Sequence, residues 1–398
     1  MGFFTPSPTS GAEPKIGAVL STVWIVASLT AVLAVLISSL YVPCLRLSYQ
    51  VFNPAVTAAI LSLHAILFVM SLWSLARVKA TNPGYVPCPS KLTASEVRAI
   101  EADKLEYRPP TTNELLAREF VFCEKNGDLK YCPICRILKP ARTSHCQELG
   151  RCVIKLDHFC PSLFSAIGVG NYKYFIQFVG WTLALVTYVQ VVGFIAVGEL
   201  RHLDAAVTRS GFIALGMVAS FVADIFLLPL FGIHLKLVTN NVATRELIGP
   251  MVECSKPSWH GQSLRVSEDP PARQYVRCNL DCDFVKYDTV PLLDEKFVVV
   301  ELDVTDCQPW GFDSVWENWS SVMGTKVWEW ILPVAPTRTE VGGRKFWEFD
   351  FNEKTKDELR EKVRNALAEM NGLEDSVDCK DSDVLPTPLK CHLRDPGC

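Results

Sequence analysis

The sequence predicts an α-helical integral membrane protein with four transmembrane helices, a cysteine-rich cytosolic domain between the second and third, and a mixed α/β cytosolic tail. Three observations carry this. Apolar runs of the roughly 20 residues that a bilayer requires occur at 17–41, 54–76, 174–198 and 212–236. The 398-residue chain is 49% hydrophobic yet 21% charged, too apolar for an average soluble protein and too charged to lie wholly in lipid. Its basic residues also take sides: Arg77 and Lys79 follow the second run and Lys155 and Lys173 precede the third, whereas the short connections offer only Arg46, or Arg201 with Arg209. By the positive-inside rule the middle segment and both termini are cytosolic.

Taken in order, residues 1–16 form a Pro- and Ser-rich cytosolic leader without a basic n-region, so the run that follows reads as a retained anchor. The first transmembrane hairpin covers 17–76, a cytosolic segment 77–173 and the second hairpin 174–236. A C-terminal region spans 237–372, and 373–398, polar and rich in Asp and Pro, is predicted to be disordered. Within the tail, β-prone runs at 274–284 and 296–304 flank a turn at Tyr287-Asp288-Thr289-Val290-Pro291 and predict a strand pair. Thr355-Lys356-Asp357-Glu358 reads as a capping box opening a helix through Leu359, Val363, Leu367 and Met370 to Gly372. Asp224, costly in hydrocarbon, is predicted to face the bundle interior, and His64 and Gln190 to hydrogen-bond between helices.

A net charge of −4 and the lack of a long basic tract give no support to nucleic-acid binding. Fifteen cysteines would suggest a disulfide scaffold in a small secreted chain, but here they cluster in segments assigned to the reducing cytosol. They are therefore expected as thiols, metal ligands or a nucleophile. Cys132-x2-Cys135 brings two thiolates together across a tight turn, and His145 with Cys152 completes a Cys3His set of the kind zinc prefers. With four protein ligands, that zinc would fold the loop rather than perform chemistry.

Asp157-His158-Phe159-Cys160 follows. A cysteine thiolate is a strong nucleophile whose thioester stays reactive toward another thiol. An imidazole can take the thiol proton, and a carboxylate on the other ring nitrogen can fix its tautomer and stabilise the imidazolium. His158 and Asp157 supply those groups for Cys160.

With KPARTSHC upstream and GNYKYF downstream, this stretch resembles the cysteine-rich domain of the DHHC protein S-acyltransferases, in a divergent form that reads Asp-His-Phe-Cys. Asn82-Pro83-Gly84 stands where the family has Asp-Pro-Gly, and Ala243-Thr244-Arg245-Glu246 where it has Thr-Thr-x-Glu. Gln308-Pro309-Trp310 with Asn318-Trp319 and Val322-Met323-Gly324 resembles a C-terminal motif that packs against the family's core. The resemblance implies transfer of a palmitoyl-type chain from acyl-CoA through a Cys160 thioester to cysteines of substrate proteins near the membrane. It places a second zinc at positions that here are Cys146, Leu149, Phe159 and Ala166, three of which cannot bind metal, so one structural zinc is expected. Arg142, Lys155 and Lys173 are the basic groups assigned, on charge alone, to the CoA head. The alternative implied by the departures is a catalytically impaired membrane scaffold. A channel has little support, because four spans with one buried acid offer no evident pathway.

Overall fold

A computed structural model describes residues 53–88, 110–200, 207–247, 273–279, 297–303, 309–312, 314–337 and 349–374. The leader, the run at 17–41 and the tail from 375 lie outside them. In chain order the elements are α1 (Pro54–Ala80), α2 (Thr112–Leu116), β1 (Phe120–Cys123), β2 (Tyr131–Cys132), β3 (Ile137–Leu138), β4 (Thr143–Cys146), β5 (Arg151–Ile154), β6 (His158–Cys160), β7 (Ser165–Ile167), α3 (Tyr172–Leu200), α4 (Val207–Thr239), β8 (Arg273–Asn279), β9 (Phe297–Asp303), α5 (Val315–Met323), α6 (Val327–Ile331) and α7 (Glu353–Glu374). They fall into two compact units.

The first unit holds α1, the β6–β7 hairpin, α3, α4 and α6. Three of its helices are long and apolar enough to cross a membrane: Pro54–Ala80, Tyr172–Ile195 and Gly216–Thr239. At about 1.5 Å per residue each exceeds the roughly 30 Å hydrocarbon thickness. Their outward faces carry bare apolar side chains, Ile66, Val69, Phe194, Phe221 and Phe226 among them, as a surface that meets lipid tails does. Asn53 starts α1, its Oδ1 accepting the Ala55 N–H at 3.0 Å ahead of Pro54 in the first turn.

Inside the unit the helices are tied by polar contacts. Ser71 and Thr182 share a hydrogen bond of 2.7 Å between α1 and α3, and the Tyr188 hydroxyl donates to the Ile60 carbonyl at 2.7 Å. Arg77 donates to the Tyr174 hydroxyl at 2.6 Å while its guanidinium lies over that ring. Gly180 meets the Phe231 ring so closely that an added Cβ would sit 2.9 Å from it, which lets α3 and α4 approach. Asp224 is half-buried and accepts from Thr187 on α3, so the acid is engaged between helices as its position predicts. His64 differs from expectation: neither ring nitrogen has a partner among the described residues, and the imidazole packs against Tyr188 at 6.2 Å.

The second unit builds a three-stranded antiparallel sheet, β1-β8-β9, with α7 packed on it. Val276, Cys278, Val298, Val300 and Leu302 alternate onto one face and bury against Phe351, Leu359, Val363 and Ala366 of the α7 side. The pair β8–β9 is the one the β-prone runs predict, with Arg273 opposite Asp303 and Asn279 opposite Phe297. The edge strand β1 comes from 150 residues upstream and has no sequence signal beyond Phe120-Val121-Phe122-Cys123. The start of α7 also differs. Asn352, not Thr355, caps it, its Oδ1 accepting the Thr355 N–H at 2.7 Å, because the Thr355 side chain turns inward and is fully buried. The helix continues past Gly372 to Glu374, so 373 and 374 are helical rather than part of a disordered tail.

Asn352 also donates to the Gly311 carbonyl at 2.8 Å, so it holds two segments at once. Asn352→Ala is expected to lower the stability of the second unit by about 1–2 kcal/mol, read as earlier denaturant unfolding and faster amide exchange in the first turn of α7.

Candidate active site and metal centre

The chain leaving α1 turns at Asn82-Pro83-Gly84, where Gly84 takes φ 107°, a conformation that favours glycine. In the second unit it then runs along the edge of the β4–β5 hairpin. The Gly84 carbonyl accepts from Ile154 N–H at 2.9 Å, Tyr85 pairs with Val153, and Val86 N–H donates to the Cys152 carbonyl at 3.0 Å. This edge buttresses β5, which carries one of the four predicted metal ligands.

Those ligands come from three places in the same unit: Cys132 from β2, Cys135 from the following turn, and His145 opposite Cys152 in the β4–β5 register. His145 Nδ1 lies 3.5, 3.3 and 3.8 Å from the sulfurs of Cys132, Cys135 and Cys152. A tetrahedral zinc with bonds of about 2.1 Å to nitrogen and 2.3 Å to sulfur sets nitrogen and sulfur about 3.6 Å apart, so the cluster has the dimensions of a filled coordination shell. The four donors, all within 4.8 Å of one another, could hold a metal ion, and three thiolates with one imidazole suit zinc. Burial opposes ionisation of Cys132 but is outweighed by N–H groups of Cys135 and Ile134 and by neighbouring thiols, which bring its thiol below the ordinary range. Burial pushes Cys135 up to about 11 and raises Cys152 further. A cation at the centre would reverse that balance.

Cys146, alone able to bind metal among the second set of positions, is buried and pushed up to about 11 by that burial, and its thiol donates to Glu148. In the first unit, Phe159 stands opposite Ala166 across the β6–β7 hairpin and stacks edge to face on Phe164 at 5.6 Å. Apolar packing thus occupies Phe159 where the resemblance implies a ligand.

The spacing of His158 and Cys160 acquires its meaning from β6. In a strand, residues i and i+2 share a face, so the imidazole and the thiol project to one side of the hairpin and Phe159 to the other. Cys160 is half-buried. The hairpin is fastened to the helix ends of its own unit. Lys79 Nζ donates to the Leu163 carbonyl in the hairpin turn at 2.6 Å, and Asn171, fully buried, donates to the carbonyls of Val78 and Ala166. Gly170 N–H donates to the Pro83 carbonyl. The His158 ring meets Phe175 edge on at 5.2 Å and His234 at 5.9 Å.

Asp157, just before the strand, is buried in the second unit. One carboxylate oxygen accepts the Thr244 N–H at 2.7 Å and the other the Thr244 hydroxyl at 3.1 Å. Two residues on, Glu246 receives Nε and Nη2 of Arg142 at 2.7 and 2.6 Å. The Thr-x-Glu segment therefore grips the acid of the signature and the arginine of KPARTSHC together. Arg142 has no side-chain exposure; Lys155 donates to Asn241 at 2.6 Å and Lys173 to the Val334 carbonyl at 3.0 Å, both buried. The assignment of these three cations to a CoA head is corrected: each is spent inside the protein. No role is legible in the sequence for His234, Tyr172 or Asn241: His234 and Asn241 have no motif spacing to mark them, and Tyr172 stands in GNYKYF without a role that the spacing reveals.

Residues 125–249 match the DHHC palmitoyltransferase family profile. The chain is 30% identical over 222 residues to Palmitoyltransferase ZDHHC15 of Rattus norvegicus, covering 54% of this chain and 64% of that protein. It is 32% identical over 218 residues to Palmitoyltransferase ZDHHC18-B of Danio rerio, covering 52% and 53%. It is 33% identical over 193 residues to Probable protein S-acyltransferase 14 of Arabidopsis thaliana, covering 47% and 60%. The matches thus span between about half and two thirds of these relatives. Over residues 125–249 the chain is thus similar to the DHHC palmitoyltransferases, and the similarity to these relatives reaches over about half of its length.

Elemental analysis of the purified protein is expected to give one zinc per chain, and Cys135→Ser to abolish it; two zincs would overturn the ligand assignment. Phe159→His would put a polar ring into half-buried packing against Phe164, opposite Ala166, at a cost of up to about 1–3 kcal/mol, the range for full burial. Its melting temperature is expected to fall while zinc content stays unchanged, with Phe159→Leu mild.

Proposed function

We propose that this protein is a protein S-acyltransferase that moves a palmitoyl-type chain from acyl-CoA to cysteines of membrane-proximal substrate proteins through a thioester on Cys160. The observation that carries the reading is the placing of His158 and Cys160 on one face of a hairpin tied by Lys79 and Asn171 to the ends of apolar helices. A nucleophile held there can meet an acyl chain dissolved in the bilayer while the CoA head remains in water.

Two displacements follow. The Cys160 thiol gives its proton to His158 and its sulfur attacks the acyl-CoA carbonyl; CoA leaves as a thiolate and takes the proton back from His158. A substrate thiol then passes its proton to His158, attacks the Cys160 thioester, and Cys160 leaves to be reprotonated. Asp157, anchored by Thr244, is the residue we assign to orienting His158. Zinc on Cys132, Cys135, His145 and Cys152 holds the cysteine-rich loop in shape. We assign a first span to 17–41, which brings the spans to four and both termini to the cytosol, with domain bounds as the sequence predicts them except that the C-terminal region extends to Glu374.

Purified protein incubated with labelled acyl-CoA is expected to take hydroxylamine-sensitive label at Cys160. Cys160→Ser removes it, Cys146→Ser keeps most of it, and His158→Ala slows it by about 10²–10⁴. Label that stays with Cys160→Ser, or an unlabelled unsubstituted protein, would sink the reading.

A further inference from the structure

Beside His158 lies a second imidazole that the mechanism above leaves unused. His234 of α4 is 3% exposed, and Tyr172 and Phe175 of α3 are each 3% exposed. The Phe175 ring stands edge on to both imidazoles, at 5.2 Å from His158 and 5.1 Å from His234. The two imidazoles are tilted by 36° with centroids 5.9 Å apart, and a ring nitrogen of one lies within 4.8 Å of a ring nitrogen of the other. Within that limit one water can bridge the two rings. The Tyr172 hydroxyl lies 3.0 Å from His234 Nδ1. All four residues belong to the first unit.

We propose that His234 is a positioning residue for His158: held by Tyr172, it presents a neutral imidazole that stabilises the His158 imidazolium formed when Cys160 gives up its proton. His234 is assigned the tautomer in which Nδ1–H donates to the Tyr172 oxygen, which leaves the lone pair on the other ring nitrogen. An acceptor there attracts an imidazolium and does little for a neutral ring, so it favours the state in which the proton has moved from Cys160 Sγ to His158. Among the described residues of the first unit, the titratable groups facing His234 are His158 and the Tyr172 hydroxyl, and the carboxylate grouped with both imidazoles is that of Asp157, the residue before His158. His158 and His234 then titrate as a coupled pair and not as two independent rings.

This deepens the reading of His158 as the base for Cys160, and its test needs no acyl-CoA. Alkylation of Cys160 by iodoacetamide in the full-length protein, followed on the Cys160 peptide by mass spectrometry, reads the thiolate directly. At about pH 6.5 the thiolate depends on the imidazolium, whereas at about pH 10 a thiol ionises unaided. His234→Gln is expected to slow alkylation about tenfold at the lower pH, one pH unit's worth of thiolate, and to leave the higher-pH rate unchanged. Tyr172→Phe should shift it the same way by a smaller factor. In a His158→Ala background, His234→Gln should add nothing, since it acts through His158. A packing role alone would alter both pH values equally. Low-pH to high-pH ratios unchanged in His234→Gln and Tyr172→Phe, with normal zinc content and a monodisperse profile, would overturn the proposal. If His234→Gln fails to fold, Tyr172→Phe decides by itself. Failure of the unsubstituted protein to take acyl label would sink the S-acyltransferase reading instead, and the alkylation ratio would still decide the imidazole pairing.

Discussion

The second unit is organised around one buried cation. Arg142 sits in the left-handed region at φ 59°, and its guanidinium is enclosed by Glu246, by the side chain and carbonyl of Asn241, and by the rings of Trp310 and Phe349 at 5.6 and 4.8 Å. Removing such a charge from water is repaid only when its donors are matched, and the planar fork of arginine allows that matching where lysine would not. Three residues further is His145, so the same turn that anchors Arg142 begins the strand that brings in a member of the candidate metal cluster. Asn241 extends the network by accepting from Lys155 and donating to the Trp310 carbonyl. The cysteine-rich loop and the segment after α4 are in this way locked by charge and hydrogen bonds more than by a large apolar core.

Much of this was legible in the sequence, and for identifiable reasons. The apolar runs at 54–76, 174–198 and 212–236 read directly as helices because the bilayer imposes a length, and the Cys132, Cys135, His145 and Cys152 spacing reads as a cluster because a small metal needs its donors close. Strands β8 and β9 carry alternation enough to pair. What stayed hidden depends on tertiary partners. His234 and Tyr172 lie in helices that are mostly apolar, so nothing local separates a ring bonded to a partner from one that fills space. His64 shows the converse, an intramembrane imidazole that packs on an aromatic ring. The basic residues misled because charge suggests solvent, while Arg142, Lys155 and Lys173 each found carbonyls or carboxylates inside the protein. The start of α7 shifted because a buried Thr355 contributes more as a packed residue than as a cap.

The departures from the family's signature also acquire a physical shape. Where the resemblance implies metal ligands in the β6–β7 hairpin, this chain has Phe159 and Ala166, so the strands are held by other means. Here β6–β7 is closed by Phe159 on Phe164 and by Asn171, whose side chain donates to the Ala166 carbonyl and accepts the Gly168 N–H. These contacts leave the face bearing His158 and Cys160 untouched, since alternation along the strand assigns Phe159 to the other side.

The short helix α6 is grasped by side chains of α3. Gln177 donates to the carbonyls of Glu329 and Leu332 at 3.0 and 2.9 Å, and Trp181 to that of Ile331 at 3.2 Å. Gln177 and Glu329 are 152 positions apart in the chain. At a synthesis rate of about 5–20 residues per second, Gln177 leaves the ribosome about 8–30 s before its acceptors exist. For that interval a membrane helix carries an amide with its eventual partners still unmade. The segment around α6 is thus the closing clasp of biogenesis, and a chain truncated before it would leave an inserted helix with polar groups seeking substitutes.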